Sequence, residues 1–178
     1  NGIMKQINSS FIAKTIYRLA KKINSPKFSK IVFKKVHDKL GGRIQTMVSG
    51  GSAINRETAS VYKTLGFDLL EGYGMTEAAP MITFTRPGKL KLGSAGEAIF
   101  ENTMKIEDGE ILATGRNIMK GYYKNPAATA EVIKDGWLHT GDLGYIDKKG
   151  RLFITGRKKE MIVLPNGKNI NPQEIEEK

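Results

Sequence analysis

The sequence predicts an α/β protein, α+β by content, in which a parallel α/β unit is followed by a small antiparallel β-barrel. Three observations predict it. A strand-like run, Ile44 to Val48, is followed by a helical pattern over residues 55–66 and a second apolar run, Phe67 to Leu70, the arrangement of a strand–helix–strand crossover. From about Met81 the chain changes to short β-prone runs punctuated by Asp108-Gly109, Asp135-Gly136 and Lys149-Gly150, which are turn dipeptides. Ahead of both lie two lysine-rich helical patterns.

Residues 8–23 set Ile12, Ile16, Leu19, Ala20 and Ile23 on one side of a helix, with Lys14, Arg18, Lys21 and Lys22 mostly elsewhere. Ser25-Pro26 breaks it, and Phe28, Val32, Val36 and Leu40 recur four residues apart in a second helix, so residues 1–40 read as a basic helical hairpin. Residues 41–80 form the α/β part: Gly41-Gly42 opens it, Gly66 caps its helix, and a site loop is expected at the exit of the second strand. Strands are expected at Met81 to Thr85, Gly96 to Ile106, Glu110 to Thr114, Trp137 to Thr140 and Arg151 to Thr155. With one short helix after Pro126, they make a barrel over residues 81–156.

The net charge of +11 suggests nucleic acid until it is mapped. Residues 1–43 hold eleven Lys or Arg against the single acid Asp38, whereas the other 135 residues carry eighteen basic and seventeen acidic side chains. The part bearing the candidate site is thus nearly neutral, which argues against nucleic acid as a partner. With no cysteine in 178 residues, disulfides and thiolate metal sites are excluded and a cytoplasmic location is the default. No apolar run is long enough to span a bilayer. The basic amphipathic segment 8–40 offers a surface for peripheral contact with anionic lipid, against the plainer reading of a solvated helical face. The chain opens on Asn rather than Met, and it stops as Pro172 to Glu177 take on the pattern of a helix start, so a piece of a longer protein is expected.

Three clusters can carry chemistry. Gly72-Tyr73-Gly74-Met75-Thr76-Glu77 combines an aromatic ring, a hydroxyl and a carboxylate suited to Mg²⁺ with glycines that allow close approach. His139-Thr140-Gly141-Asp142-Leu143-Gly144 holds an acid between glycines, as a ribose diol requires; an Asx turn explains it equally well. His139 lacks companions for a metal site and reads as a structural imidazole. In Gly156-Arg157-Lys158-Lys159-Glu160 the guanidinium can bridge phosphate and sugar oxygens, or simply decorate a charged turn. The Walker-type, Gly-x-Gly-x-x-Gly and Gly-x-Ser-x-Gly patterns are absent, which removes the main support for P-loop, Rossmann and α/β-hydrolase readings.

Taken in order, these pieces resemble the adenylate-forming family of acyl-CoA synthetases, luciferases and peptide-synthetase adenylation domains. The resemblance runs from about Gly41 to Lys178. Ser49-Gly50-Gly51-Ser52-Ala53 is similar to the family's adenine-contacting loop, and Gly72 to Glu77 to its Tyr-Gly-x-Thr-Glu signature. Gly121-Tyr122-Tyr123-Lys124-Asn125-Pro126, Gly136 to Asp142, and Gly156-Arg157 through Gly167-Lys168-Asn169-Ile170 complete the series.

The resemblance implies that Gly50, Gly51, Ser52, Ala53, Tyr73 and Gly74 line the adenine site, with Tyr73 stacking on the base. Thr76 would contact the α-phosphate and Glu77 bind Mg²⁺, these two being the catalytic pair. Asp142 would hold the ribose hydroxyls, Ile154 pack near the nucleoside, and Arg157 touch ribose or phosphate. Residues 157–160 would be a hinge centred on Lys159, residues 161–178 the start of a mobile C-terminal domain, and Gly167 part of the path for CoA. ATP, Mg²⁺ and CoA would be required. Val163 to Ile170 looks most like long-chain fatty acyl-CoA synthetases, and Ala78, Ala79 and Pro80 could wall an acyl tunnel. The family's phosphate loop and catalytic lysine have no counterpart in these residues, so the 178 residues alone are expected to be inactive. Loading of an acyl carrier protein, and a basic surface-binding module, are the alternative readings.

Overall fold

The computed structural model describes residues 7, 9–51, 54–163 and 169–170. The chain divides into two compact units, Asn1–Val48 with Ile54–Leu70, and Ser49–Ala53 with Glu71–Lys178. Among the described residues no helix is long and apolar enough to cross a membrane.

The first unit begins with α1, Phe11–Ile23, capped by the Ser10 hydroxyl at its start and by Asn24 in the left-handed conformation at its end. Its apolar stripe is only partly used. Ile16, Tyr17 and the fully buried Ala20 face the core, while Ile12 is 70% exposed and Leu19 and Ile23 remain largely in solvent. The expected second helix is two short ones, α2 (Pro26–Val32) and α3 (Lys34–Lys39). The ladder breaks at Phe33, whose ψ of 26° leaves the helical range while its ring is buried. The Val36 N–H then bonds back to the Phe33 carbonyl and starts the next turn.

Strand β1, Thr46–Ser49, precedes helix α4, Arg56–Leu65, which follows the expected bounds closely. Asn55 caps α4 by accepting from the Glu57 and Thr58 N–H groups, and Gly66 closes it at φ 91°. A side chain at Gly66 would strike Ser29 of α2, so the glycine serves helix packing as well as the cap. The core of this unit gathers Leu65, Phe67, Phe33 and Ala20, and the buried His37 stacks on Phe67 while bonding the Leu65 carbonyl at 2.9 Å.

The remaining strands are β2 (Asp68–Gly74), β3 (Met81–Phe84), β4 (Gly96–Ala98), β5 (Thr103–Glu107) and β6 (Glu110–Thr114), then β7 (Ile133–Lys134), β8 (Trp137–Ile146) and β9 (Arg151–Arg157). Helix α5, Pro126–Val132, lies where Pro126 predicted it. The strands join one sheet in the order β1-β2-β3-β4-β9-β8-β6-β5, with β7 also against β8. The fold is thus mixed α/β with a mostly antiparallel sheet, in the fold class the sequence predicts. One detail differs: β2 does not stop at Leu70 but continues through Gly74 and pairs antiparallel with β3. The core of the second unit is built on Tyr73, Ile82, Ile111, Ala113, Leu138 and Leu152. A short pair, β10 (Ile162–Val163) with β11 (Asn169–Ile170), follows.

Candidate functional site

Gly72, Tyr73 and Gly74 lie in β2, not in a loop, and the glycines are there for the neighbouring strand. Gly72 pairs with Phe84, Tyr73 with Thr83 and Gly74 with Met81, with an irregularity between Tyr73 and Gly74. A Cβ on Gly74 would overlap the Pro80 carbonyl oxygen. The chain then makes one 3₁₀ turn, Thr76–Ala78, which leaves Thr76 exposed and Glu77 half-buried just beyond the strand end.

Tyr73, Asp142 and Arg157 are brought together from three strands. The Tyr73 hydroxyl donates to Asp142 Oδ2 at 2.7 Å, and Arg157 Nε donates to Asp142 Oδ1 at 2.9 Å. Asp142 and Arg157 face each other across β8 and β9. The Asp142 carboxylate is buried, so it needs these partners. Burial above all, then the acceptor role of Asp142, pushes the Tyr73 phenol well above its ordinary range, so it stays a donor at any physiological pH. Each carboxylate oxygen keeps a second lone pair for an incoming hydroxyl. Tyr73 itself is only 9% exposed and sits in the core, so its ring offers little free face.

Glu77 is held by two contacts that sequence reading did not find. The Tyr122 hydroxyl donates to its Oε1 at 2.7 Å, and the Met119 N–H donates to its main-chain carbonyl at 2.8 Å. That hydrogen bond raises the Tyr122 phenol as well. Asn117 donates from Nδ2 to the Ala78 and Met81 carbonyls, at 2.5 and 2.7 Å, and so ties the segment before α5 to the turn carrying Glu77. Glu110 is a further buried acid near the site, with partners at Gly141, His139 and Lys158. None of these contacts stood out in the sequence, because the partners are 29 to 48 residues apart in the chain.

Gly50 and Gly51 are exposed, with Gly51 at φ 89° and open space where a side chain would be. Ile154 packs half-buried against the core cluster. Lys159 is exposed in the 3₁₀ turn Lys158–Glu160 that directly follows β9. Ser52, Ala53 and Gly167 lie outside the described residues.

The AMP-binding enzyme family matches residues 6–123. The chain is 39% identical over 151 residues to a long-chain-fatty-acid–CoA ligase, FadD15, of Mycobacterium bovis, covering 84% of this chain and 25% of the relative. It is 37% identical over 163 residues to long-chain-fatty-acid–CoA ligase 5 of Rattus norvegicus, covering 84% of this chain and 24% of that protein. Among solved structures, the O-succinylbenzoate CoA synthetase of Bacillus subtilis bound to its acyl-adenylate superposes with a TM-score of 0.69 at 36% identity, covering 75% of this chain and 30% of that one. The chain therefore spans about a quarter of the length of the curated relatives it matches.

Proposed function

Because the chain belongs to the AMP-binding enzyme family, we propose that it is part of an ATP- and Mg²⁺-dependent acid:CoA ligase that activates a fatty acid. The observation that carries this reading is the Tyr73–Asp142–Arg157 constellation, which joins three motif residues at one buried carboxylate. The relatives named as long-chain-fatty-acid–CoA ligases support the substrate class.

In the proposed reaction a fatty-acid carboxylate oxygen attacks the α-phosphorus of ATP, forming acyl-AMP and expelling pyrophosphate. The sulfur of CoA then attacks the acyl carbon, and AMP departs. Asp142 accepts hydrogen bonds from the ribose hydroxyls, while Tyr73 and Arg157 keep it oriented and charged. Gly50 to Ala53, Tyr73 and Gly74 bind the adenine base, with Ile154 near the nucleoside. Thr76, exposed beyond the end of β2, donates to the α-phosphate.

No group of three or more His, Asp or Glu side chains that could hold a metal occurs among the described residues, and Glu77 contributes one half-buried carboxylate. That donor set suits Mg²⁺, which is commonly held by one or two carboxylates plus substrate phosphates. When bound, the ion neutralises charge on those phosphates. Residues 157–160, with Lys159 at the centre, serve as the hinge to a C-terminal domain that begins at 161, and Gly167 contributes to CoA binding.

The test is fatty-acid-dependent ATP–pyrophosphate exchange by the full-length enzyme, followed by acyl transfer to CoA or to a phosphopantetheinyl carrier protein. Exchange with medium- or long-chain acids and thioester formation on CoA is the expected result. Transfer to the carrier alone would select the other acceptor, and absence of exchange with every fatty acid would sink the proposal. The 178 residues alone should give no exchange.

A further inference from the structure

Strands β6 and β8 do not keep step. Glu110 pairs with Leu143 and Leu112 with His139, so Ile111 alone on one strand faces Thr140, Gly141 and Asp142 on the other. Strand β8 therefore bulges where its functional carboxylate lies, and bulges re-aim side chains next to sites. Gly141, at φ 73°, supplies the left-handed residue within the bulge.

A bulge takes amides out of the ladder, and here side chains replace it. Glu110 Oε1 accepts from the Gly141 N–H at 2.9 Å. The Thr140 hydroxyl donates to the Ile111 carbonyl at 2.7 Å and accepts from the Asp142 N–H at 3.1 Å. The other Glu110 oxygen receives Lys158 Nζ at 3.1 Å and lies 3.4 Å from His139 Nδ1. Burial disfavours the charged form of Glu110, yet the hydrogen bonds from Lys158, Gly141 and His139 outweigh it and hold the carboxyl below its usual range. An acid kept charged and nearly buried against a bulge amide is more than a surface charge.

We infer that Glu110 is a positioning residue: it clamps the Thr140–Asp142 bulge in the conformation that presents Asp142 to Tyr73 and Arg157, and through Lys158 it anchors the residue just before Lys159. The inference rests on the reading of Asp142 as the nucleotide-ribose contact. Among the described contacts Glu110 bonds to Gly141, His139 and Lys158, and the inference explains why a carboxylate stands at the start of β6.

The test compares the full-length enzyme with its Glu110→Gln and Glu110→Ala variants by NMR hydrogen exchange, and titrates each with AMP. In Glu110→Ala the Gly141 and Asp142 amides and the Arg157 Nε–H should exchange about tenfold faster relative to the Leu138 and Phe153 amides, as loss of one charged-acceptor bond implies. Glu110→Gln retains an acceptor for Gly141 and should return all three to within about threefold of the parent chain. AMP affinity should fall in the same order. An unchanged Arg157 Nε–H in Glu110→Ala would overturn the inference, since Asp142 would then be held without the clamp. Uniform acceleration of every amide, unrelieved by Gln, would also overturn it and make Glu110 a general stabiliser. Should the unsubstituted chain take up no AMP, the nucleotide reading suffers, and the exchange pattern still decides the clamp.

Discussion

Replacing Tyr73 by Phe removes one oxygen and little else. The ring remains among Ile82, Ile111, Ala113, Leu138 and Leu152, so no cavity opens. What disappears is the 2.7 Å hydrogen bond to Asp142 Oδ2, on a carboxylate only 12% exposed. A bond to a buried charged acceptor is worth about 1.5–3 kcal/mol, because solvent cannot replace the lost donor. The second partner of Asp142 makes an instructive contrast. Arg157 is 55% exposed, so solvent screens its pair, and Arg157→Met should cost only about 0–1 kcal/mol. Urea unfolding at neutral pH, followed by the fluorescence of Trp137, measures both. Tyr73→Phe should lower stability by clearly more than Arg157→Met, and combining it with Asp142→Asn should cost less than the sum of the two single changes. A loss under about 0.5 kcal/mol for Tyr73→Phe, the level of an ordinary surface change, would show that Asp142 does not depend on the phenol.

Other outcomes follow from the same geometry. Glu110 has a folded-state pKa below its ordinary value, so its stabilising contribution is complete above about pH 4.5 and fades as pH falls through the lowered value; Glu110→Gln should flatten that part of an acid unfolding curve. Asp147, held down to about 2 chiefly by Arg151, should add a further acid-dependent loss between about pH 4 and 2 that Asp147→Asn abolishes. Gly74→Ala forces a methyl into the Pro80 carbonyl and should destabilise by about 1–3 kcal/mol in thermal melts, while in the full-length enzyme it disturbs the turn bearing Thr76 and Glu77 and lowers kcat/KM. Tyr122→Phe leaves Glu77 Oε1 without its donor; stability should barely change, but the Mg²⁺ concentration for half-maximal pyrophosphate exchange should shift severalfold, and an unchanged Mg²⁺ dependence would mean that Tyr122 does not position Glu77.

Much of the fold was legible because local rules govern it. Asn55 and Gly66 bracket α4, Pro126 opens α5, and the Asp-Gly turns stand where the antiparallel strands reverse. The reading went wrong where long-range pairing overrides local pattern. Gly72 and Gly74 look like loop residues, yet they extend β2 because β3 approaches too closely to admit side chains. Phe33 splits a helix that its periodicity would continue, since burying its ring carries the backbone out of helical geometry. The run Gly96 to Ile106 is two strands, interrupted between Ala98 and Thr103, where Glu101 adopts φ 65°.

The order and chemistry of the motif residues belong to the sequence itself: an aromatic and a carboxylate around residues 73–77, an acid at 142 and an arginine at 157 are readable before any strand is placed, and they suffice to indicate the family. The tertiary structure alone decided which of them meet. Asp142 becomes the shared acceptor of Tyr73 and Arg157 because antiparallel strands far apart in the chain bring them within hydrogen-bonding reach, and because a bulge under Glu110 turns the strand at that point. Residues such as Glu110 and Asn117 carry no local signature, and the bond from Tyr122 to Glu77 none either, since these roles consist of bonds closed across dozens of residues, and only the folded chain creates those partners.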